Sequence, residues 1–329
     1  MRAADAIAAR LRPRPHCCRG HLRRFATHSV CPDAPPPQTE DVNRLADFIA
    51  SSERLLVITG AGCSTESGVP DYRSPNGAYT KGHKPMTHQQ FMSGEPARRR
   101  YWARSFVGWR RFSGVQPNAA HFTLARMQAA GRLAGGLITQ NVDRLHQQAG
   151  STPVLELHGT THRVVCLSCG ADTCRVHMQE RLAALNPNFV DDDGNPDLQQ
   201  RPDGDVELAQ QATLHFNVPH CESCHTGILK PDVVFFGANV PAQVAHTAKH
   251  WAETADALLV VGSSMSTWSS FRLANEVARR GRPIAIVNIS HTRSDAQATL
   301  KIQARASEVL ARALVHGGLD LPALSTTVA

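Results

Sequence analysis

The sequence predicts an α/β fold in which a smaller zinc-binding domain is inserted into a doubly wound parallel sheet. Two observations predict it. Continuous apolar runs rich in β-branched residues alternate with longer helical patterns, which is typical of parallel strands covered by helices on both faces. The middle of the chain breaks this alternation and carries two Cys-x-x-Cys pairs, a spacing that is typical of zinc modules.

Each element follows from its own stretch of sequence. The run at 54–59, RLLVIT, is short, apolar and β-branched, and it predicts the first buried strand. The segment at 186–205 is rich in Pro, Gly and Asp and predicts surface loop. In chain order, the predicted elements are a helix at 41–50, a strand at 54–59, a helix at 119–130, strands at 137–139, 154–157 and 257–261, a helix at 271–280 and a strand at 284–289.

A chain of 329 residues exceeds a typical single domain. We therefore expect a large domain that is interrupted by a smaller one. The predicted division is a leader with a Pro-rich linker at 1–38, a large domain formed by 39–161 and 229–316, a zinc-binding small domain at 162–228, and a tail at 317–329.

The formal net charge of +7 lies almost entirely in the leader. Residues 1–32 hold seven Arg and one Asp, a net charge of +6, whereas the rest of the chain holds 28 basic and 27 acidic residues. A nearly neutral body argues against a phosphate-binding surface, so we expect no nucleic-acid partner. No apolar run approaches the roughly 18 residues of a membrane span, so no membrane insertion is expected.

The leader has the composition of an organelle transit peptide. It is rich in Arg and Ala, nearly free of acids, and lacks the long apolar run of a secretory signal. The alternative interpretation is a disordered N-terminal tail without a targeting role.

The two cysteine pairs are the candidate zinc ligands. Each Cys-x-x-Cys clamps one edge of a tetrahedral ion, and four thiolates leave no open position, so the predicted ion is structural. Other metal-binding side chains lie close in sequence, so the ligand set is not forced. The candidates are Cys166, Cys169, Cys221 and Cys224, with Cys174, His220 and His225 as possible substitutes.

A glycine-rich turn follows the first strand. Gly60 and Gly62 allow a sharp turn and a close approach of the backbone to a phosphate. The string lacks the third glycine of the usual dinucleotide fingerprint, and no acid stands about 20 residues further on, which disfavours an ordinary dehydrogenase. The following loop carries Ser64, Asp71 and Arg73 and is predicted to wrap a ligand.

Polar residues follow the strand at 137–139, where ligands bind in open α/β sheets. Asn141 and Asp143 lie there, although either residue alone suits a helix cap. His158 ends the strand-like run at 154–157 and suits general-base chemistry near neutral pH.

These motifs together resemble the sirtuins, and most closely their class II subgroup, the mitochondrial sirtuin 4 type with its plant and algal relatives. The matching strings occur in family order: GAGCSTESGVPDYRS at 60–74, TQNVDRLH at 139–146, LHG at 157–159, the two Cys pairs, LKPDVVFFG at 229–237, VVGSSM at 260–265 and IVNIS at 286–290. The resemblance implies a Rossmann-like NAD-binding domain beside a zinc-bearing small domain. With the leader it implies the mitochondrial matrix, whereas a bacterial source would imply the cytoplasm.

The resemblance also assigns residues. His158 would be the proton acceptor, with Asn141 beside the ribose and Asp143 holding the carboxamide of NAD. Val233 and Phe235 would contact the substrate peptide, which pairs as an added strand. The NAD contacts that it implies are Gly60, Ala61, Gly62, Ser64, Asp71, Tyr72, Arg73, Thr80, Gln140, Asn141, Val142, Asp143, Gly262, Ser263, Ser264, Asn288, Ile289, Ser290 and Ala306.

The implied activity is NAD-dependent protein-lysine deacylation. The acyl oxygen attacks the ribose carbon as nicotinamide leaves, and His158 afterwards accepts a proton from a ribose hydroxyl. The products would be nicotinamide, free lysine and O-acyl-ADP-ribose, and the implied partners are acyl-lysine proteins, among them mitochondrial metabolic enzymes. Protein ADP-ribosylation at the same NAD site is the alternative.

One further hypothesis concerns the acyl group. Tyr101 and Arg104 lie three residues apart, so they are neighbours on one helix face. In sirtuins that remove acidic acyl groups, a Tyr and an Arg at this spacing bind the acyl carboxylate, and Arg suits such bidentate contacts. The alternative is an exposed, Arg-rich helix face.

Overall fold

A computed structural model describes residues 30–189 and 199–316. Nine α-helices and nine β-strands occur in these ranges. The helices are α1 (Thr39–Ala50), α2 (His88–Met92), α3 (Glu95–Ser113), α4 (Ala119–Ala129), α5 (Leu145–Gln148), α6 (Arg175–Leu185), α7 (Ala242–Thr254), α8 (Trp268–Arg279) and α9 (Ala306–His316). The strands are β1 (Leu55–Thr59), β2 (Gly136–Thr139), β3 (Leu155–Glu156), β4 (Gly159–Cys166), β5 (Asp172–Cys174), β6 (Leu229–Val233), β7 (Ala257–Val261), β8 (Ile284–Val287) and β9 (Leu300–Ile302).

Six parallel strands form the main sheet in the order β3-β2-β1-β7-β8-β9. The chain proceeds from β1 outward through β2 to β3, and later from β7 outward through β8 to β9. The direction of progression therefore reverses between β1 and β7. A crevice opens at such a reversal because the connections on its two sides lie on opposite faces of the sheet.

Helices cover both faces of this sheet, which explains why its central strands are fully buried. One apolar cluster joins a face of the sheet to α1, α4 and α9, and a second joins the other face to α7 and α8. All five residues of β1 and of β7 are buried. The predicted doubly wound parallel sheet is confirmed.

A separate three-stranded antiparallel sheet has the order β5-β4-β6. It shares an apolar core with α2, α3 and α6, in which Trp102 and Phe91 are fully buried. This module therefore includes β6 and α3, which the predicted division assigned to the large domain. The division itself remains a prediction.

The predicted elements agree with the structure at their centres and differ at their ends. The strand at 257–261 coincides with β7, whereas the helix predicted at 271–280 begins three residues earlier, at Trp268. None of the helices in 30–189 and 199–316 combines the length and the apolar composition of a membrane span. Residues 1–29, part of the loop predicted at 186–205, and the tail at 317–329 lie outside the described residues.

Candidate active site in the cleft between β1 and β7

A cleft of about 1120 Å³ lies at the carboxyl ends of the central strands. It is lined by the turns that follow β1, β2 and β7 and by the segment 233–240, which begins at the last residue of β6. The cleft therefore occupies the crevice that the reversal of strand order creates.

Two glycine turns approach each other at the base of the cleft. The backbone N–H of Gly62 donates to the carbonyl oxygen of Gly262 at 2.8 Å. A Cβ on Gly60 would lie 2.8 Å from the Cβ of Ser263, and one on Gly62 would lie 2.9 Å from the oxygen of Gly262. Gly262 has a φ of +59°, which a side chain rarely adopts. The absence of side chains thus lets the two loops meet.

A chain of hydrogen bonds fixes the polar residues after β2. Asn141 Nδ2 donates to the carbonyl oxygen of Gly60 at 3.1 Å and to Ser64 Oγ at 3.0 Å. Ser64 Oγ in turn donates to Asp143 Oδ2 at 2.7 Å, while Asp143 Oδ1 accepts from the N–H of Leu145. Burial raises the pKa of Asp143, and its two hydrogen bonds oppose that rise.

His158 is held by a hydrogen bond at each ring nitrogen. Nδ1 lies 3.1 Å from the carbonyl oxygen of Gln140, and Nε2 lies 2.8 Å from Ser269 Oγ. A carbonyl oxygen only accepts, so Nδ1 carries the proton and Nε2 of the neutral ring is an acceptor. Burial lowers the pKa of His158 to about 4, so the ring is neutral at physiological pH. An unprotonated Nε2 is the state that a general base requires.

The structure brings most of the predicted NAD contacts to the walls of the cleft, together with His158, Tyr101, Val233 and Phe235. Those NAD contacts are Gly60, Ala61, Gly62, Asp71, Tyr72, Arg73, Gln140, Asn141, Val142, Gly262, Ser263, Ser264, Asn288, Ile289, Ser290 and Ala306. Ser64 and Asp143 lie behind the wall, and the exposed Thr80 donates to the carbonyl oxygen of Ser74.

Tyr101 and Arg104, the residues predicted to bind an acyl carboxylate, lie in two different environments. Tyr101 lines the cleft and packs against Phe235, with ring centroids 5.2 Å apart. Arg104 lies outside the lining, where its guanidinium pairs with the buried Asp205 and donates to the oxygen of Val206. Both residues are buried, at 6% and 7% exposure, and do not lie on an exposed helix face.

The four cysteines of the two pairs converge next to the three-stranded sheet. Cys166 Sγ lies 3.7 Å from Cys224 Sγ, and Cys169 Sγ lies 3.7 Å from Cys221 Sγ. Sulfurs that bind one tetrahedral zinc at 2.3 Å are about 3.8 Å apart, so the four atoms fit this ion. Gly227 gives them room, because a Cβ there would lie 2.2 Å from Cys166 Sγ. Cys174, His220 and His225 are not part of this group.

Comparison with known proteins places the chain. The sequence pattern of the Sir2 family matches residues 60–269, more than half of the chain. The chain belongs to the Sir2 family. The resemblance to sirtuins that the motifs indicated is confirmed, since the matched region contains the glycine turn, His158 and all four zinc-ligand candidates.

Similar proteins share nearly the whole length of the chain. The NAD-dependent protein deacylase SRT2 of Arabidopsis thaliana is 50% identical over 314 residues, which cover 92% of this chain and 83% of that protein. The human mitochondrial NAD-dependent protein lipoamidase sirtuin-4 is 48% identical and covers 85% of this chain and 88% of its own length. A solved Sir2 structure with a p53 peptide and NAD⁺ has a TM-score of 0.64 at 28% identity, over 85% of this chain and 99% of that one.

Several residues that line this Sir2 cleft were not predicted from the sequence, and Ser269 and Asp203 are two of them. Ser269 follows the recognised VVGSSM string and contacts His158. Asp203 belongs to the acidic insertion, and the fold places its buried carboxyl group among the residues that line the cleft. Neither residue carries a motif of its own, because each reaches the site through tertiary packing.

Proposed function

We propose that this Sir2-family chain catalyses NAD-dependent removal of acyl groups from protein lysine. The neutral His158 at the cleft, held at both ring nitrogens and with Nε2 unprotonated, is the observation that carries the proposal. The deacylase and lipoamidase names of the similar proteins support it.

The cleft suits NAD, which when bound supplies the ADP-ribosyl group that accepts the acyl oxygen as nicotinamide leaves. The turns at 60–62 and 262–264 would hold its phosphates and adenosine half, because backbone N–H groups without side chains can approach a phosphate closely. Asn141 would lie beside the ribose, positioned by its bonds to Gly60 and Ser64. Asp143 would hold the carboxamide, since each carboxylate oxygen retains a second lone pair.

Replacing Gly60 by alanine is expected to weaken NAD binding. The added Cβ would lie 2.8 Å from Ser263 Cβ and 2.9 Å from the oxygen of Gly262, so the two loops must separate. Overpacking of about 1–3 kcal/mol, if expressed fully in binding, corresponds to a Kd about 5- to 150-fold higher. Calorimetric titration with NAD checks this. Gly94→Ala is the matched control, because its Cβ would meet only Pro96, at 3.5 Å; equal affinities in the two variants would contradict the prediction.

His158 would accept a proton from a ribose hydroxyl through Nε2. The lowered pKa, about 4, keeps this nitrogen unprotonated well below the pH at which an ordinary histidine is half protonated. We therefore expect kcat/KM to be insensitive to His158 protonation from pH 8 down to about pH 5. A plot of kcat/KM against pH in the wild-type enzyme tests this, and an acid midpoint near 6.5 that disappears in His158→Gln would contradict it.

The substrate peptide would lie along the segment that follows β6. The backbone N–H of Val234 donates to the carbonyl oxygen of His158, so this segment is tied directly to the catalytic histidine. Val233 and Phe235 flank it and line the cleft. An extended acyl-lysine peptide pairing here would place its side chain towards His158.

Tyr101 and Arg104 are proposed to select acidic acyl groups. Tyr101 is already on the cleft wall, whereas Arg104 would have to exchange its bond to Asp205 for the acyl carboxylate. Rates with acetyl-, glutaryl- and lipoyl-lysine peptides, compared between wild type and Arg104→Lys, test this. The variant keeps the positive charge but loses the planar guanidinium group that can bind a carboxylate with two hydrogen bonds. An equal change of the rates with all three peptides would contradict selection of acidic acyl groups.

The four-cysteine group is proposed to hold one structural Zn²⁺, through Cys166, Cys169, Cys221 and Cys224. The leader supports a location in the mitochondrial matrix, as does the name of the human relative. Imaging of a fluorescent protein fused behind residues 1–38 tests this location, and mitochondrial metabolic enzymes carrying acyl-lysine would then be the substrates.

The decisive experiment follows nicotinamide release and free lysine together, with NAD and a panel of acyl-lysine peptides. The proposal predicts one nicotinamide for each unmasked lysine. Mass spectrometry of a target protein distinguishes the two reactions: ADP-ribose addition without lysine unmasking would contradict deacylation.

A further inference from the structure

We propose that Ser269 is a positioning residue that holds the imidazole of His158 in its base-competent orientation. The proposal rests on the deacylase function proposed above and adds a residue to its machinery. Ser269 is the second residue of α8, lines the cleft, and places Oγ 2.8 Å from His158 Nε2.

The direction of this hydrogen bond follows from the other side of the ring. Nδ1 donates to the carbonyl oxygen of Gln140, so Nε2 of the neutral ring has a lone pair and no proton. The Ser269 hydroxyl must therefore donate to Nε2. The serine engages the atom that has to receive the proton of the ribose hydroxyl.

Gln140 contacts both the imidazole and Thr267, the neighbour of Ser269. Its backbone oxygen accepts from Nδ1, and its side-chain Oε1 accepts from Thr267 Oγ1 at 3.2 Å. Thr267 Oγ1 lies 3.4 Å from Ser269 Oγ, which contacts Nε2. The imidazole is thus held by one hydrogen bond at each nitrogen, and Thr267 Oγ1 is the second acceptor within reach of the Ser269 hydroxyl.

The local structure of α8 does not require the Ser269 hydroxyl. Within the described part of the chain, the hydrogen bonds of Ser269 Oγ go to His158 and Thr267. The neighbouring Ser270 is the residue that ties the first turn together, because its Oγ donates to the carbonyl oxygen of Thr267 and contacts Thr267 Oγ1 at 2.7 Å. The Ser269 hydroxyl therefore contacts a residue of the cleft, whereas the Ser270 hydroxyl stabilises the first turn of the helix.

Both states of the base can be accommodated. When a ribose hydroxyl donates to Nε2, the Ser269 hydroxyl turns its hydrogen to Thr267 Oγ1 and leaves the lone pair to the substrate. After proton transfer, Nε2–H can donate to Ser269 Oγ. The bond of Nδ1 to Gln140 persists throughout, and Ser269 Oγ holds Nε2 before the ribose hydroxyl binds and again after the proton is transferred.

Two rates separate positioning from a general structural effect. Exchange of labelled nicotinamide into NAD, in the presence of an acyl-peptide, requires nicotinamide departure, which precedes the action of His158. Release of free lysine requires His158. We expect Ser269→Ala to lower lysine release about ten-fold, in line with a lost hydrogen bond, and to leave exchange within about two-fold of wild type. Ser269→Thr restores the hydroxyl and should restore lysine release.

Ser270→Ala is the matched control, because it removes a hydroxyl from the same helical turn without touching Nε2. An equal fall of exchange and lysine release in Ser269→Ala would overturn the proposal, as would an equal change of their ratio in Ser270→Ala. Failure of the deacylase function is distinguishable, since wild type would then release no lysine at all.

Discussion

Replacing His158 by alanine is expected to lower lysine release by about 10²- to 10⁴-fold, the range typical of a lost general base. The imidazole is buried, neutral and hydrogen-bonded at both nitrogens, and none of the protein atoms that contact it can take over the basic role. Ser269 Oγ, the group that contacts Nε2, is a hydroxyl with no basicity near neutral pH. Parallel assays of lysine release and nicotinamide exchange measure the effect.

The two rates, lysine release and nicotinamide exchange, are expected to fall unequally in His158→Ala. Nicotinamide exchange should persist in His158→Ala, because the base acts after nicotinamide has left. His246→Ala provides the control, since His246 is exposed on α7. Equal loss of both rates in His158→Ala would contradict the assigned role and indicate a defect in NAD or peptide binding.

Replacing Cys221 by serine is expected to abolish zinc binding and to destabilise the module around the three-stranded sheet. Cys166 and Cys221 are buried members of the apolar core that this module shares with α3. Structural zinc sites contribute about 10–16 kcal/mol of apparent binding free energy, so the loss of one ligand removes much of the stability of the module. Metal analysis should find about one zinc per wild-type chain and none in the variant, with a lower Tm.

Cys31→Ser is the matched control for this change. Cys31 is separate from the four-sulfur group and lies by the cleft, so its variant should keep one zinc and the wild-type Tm. Retention of zinc by Cys221→Ser would show that another side chain completes the site. Cys174, His220 and His225 are the sequence neighbours to replace next.

The module also connects the zinc site to the cleft. Trp102 on α3 donates from Nε1 to the carbonyl oxygen of Leu229 in β6. The segment 233–240, which continues from β6, lines the cleft. Loss of the proposed zinc is therefore expected to raise the KM for the acyl-peptide before it affects the affinity for NAD, whose proposed site lies at the main sheet.

Local sequence was sufficient for features that depend on short-range chemistry. The apolar, β-branched runs predicted β1 and β7 because strands buried on both faces have no polar side to mask their pattern. The glycines at 60 and 62 predicted a sharp turn after β1, and the structure adds the close approach of this turn to the loop at 262–263. The paired cysteines predicted a four-sulfur group, because each pair lies within a single turn.

The surroundings of an individual side chain could not be predicted from local sequence. Tyr101 and Arg104 are three residues apart on one helix, yet one lines the cleft and the other pairs with Asp205, which lies about a hundred residues away in the chain. Helical spacing makes residues neighbours on a surface, but it does not say what packs against that surface. The insertion that supplies Asp205 determines what packs against Arg104.

The sequence by itself determined the sheet, the glycine turns, the cysteine pairs and the identity of the candidate base. Tertiary structure alone decided the state of that base. Burial keeps the ring of His158 neutral, although the hydrogen bond to the oxygen of Gln140 by itself raises the pKa. That oxygen and the hydroxyl of Ser269, which is 111 positions away in the chain, fix the orientation of the ring. Protonation and orientation are properties of the surrounding dielectric and hydrogen-bond partners, and these exist only when distant segments pack together.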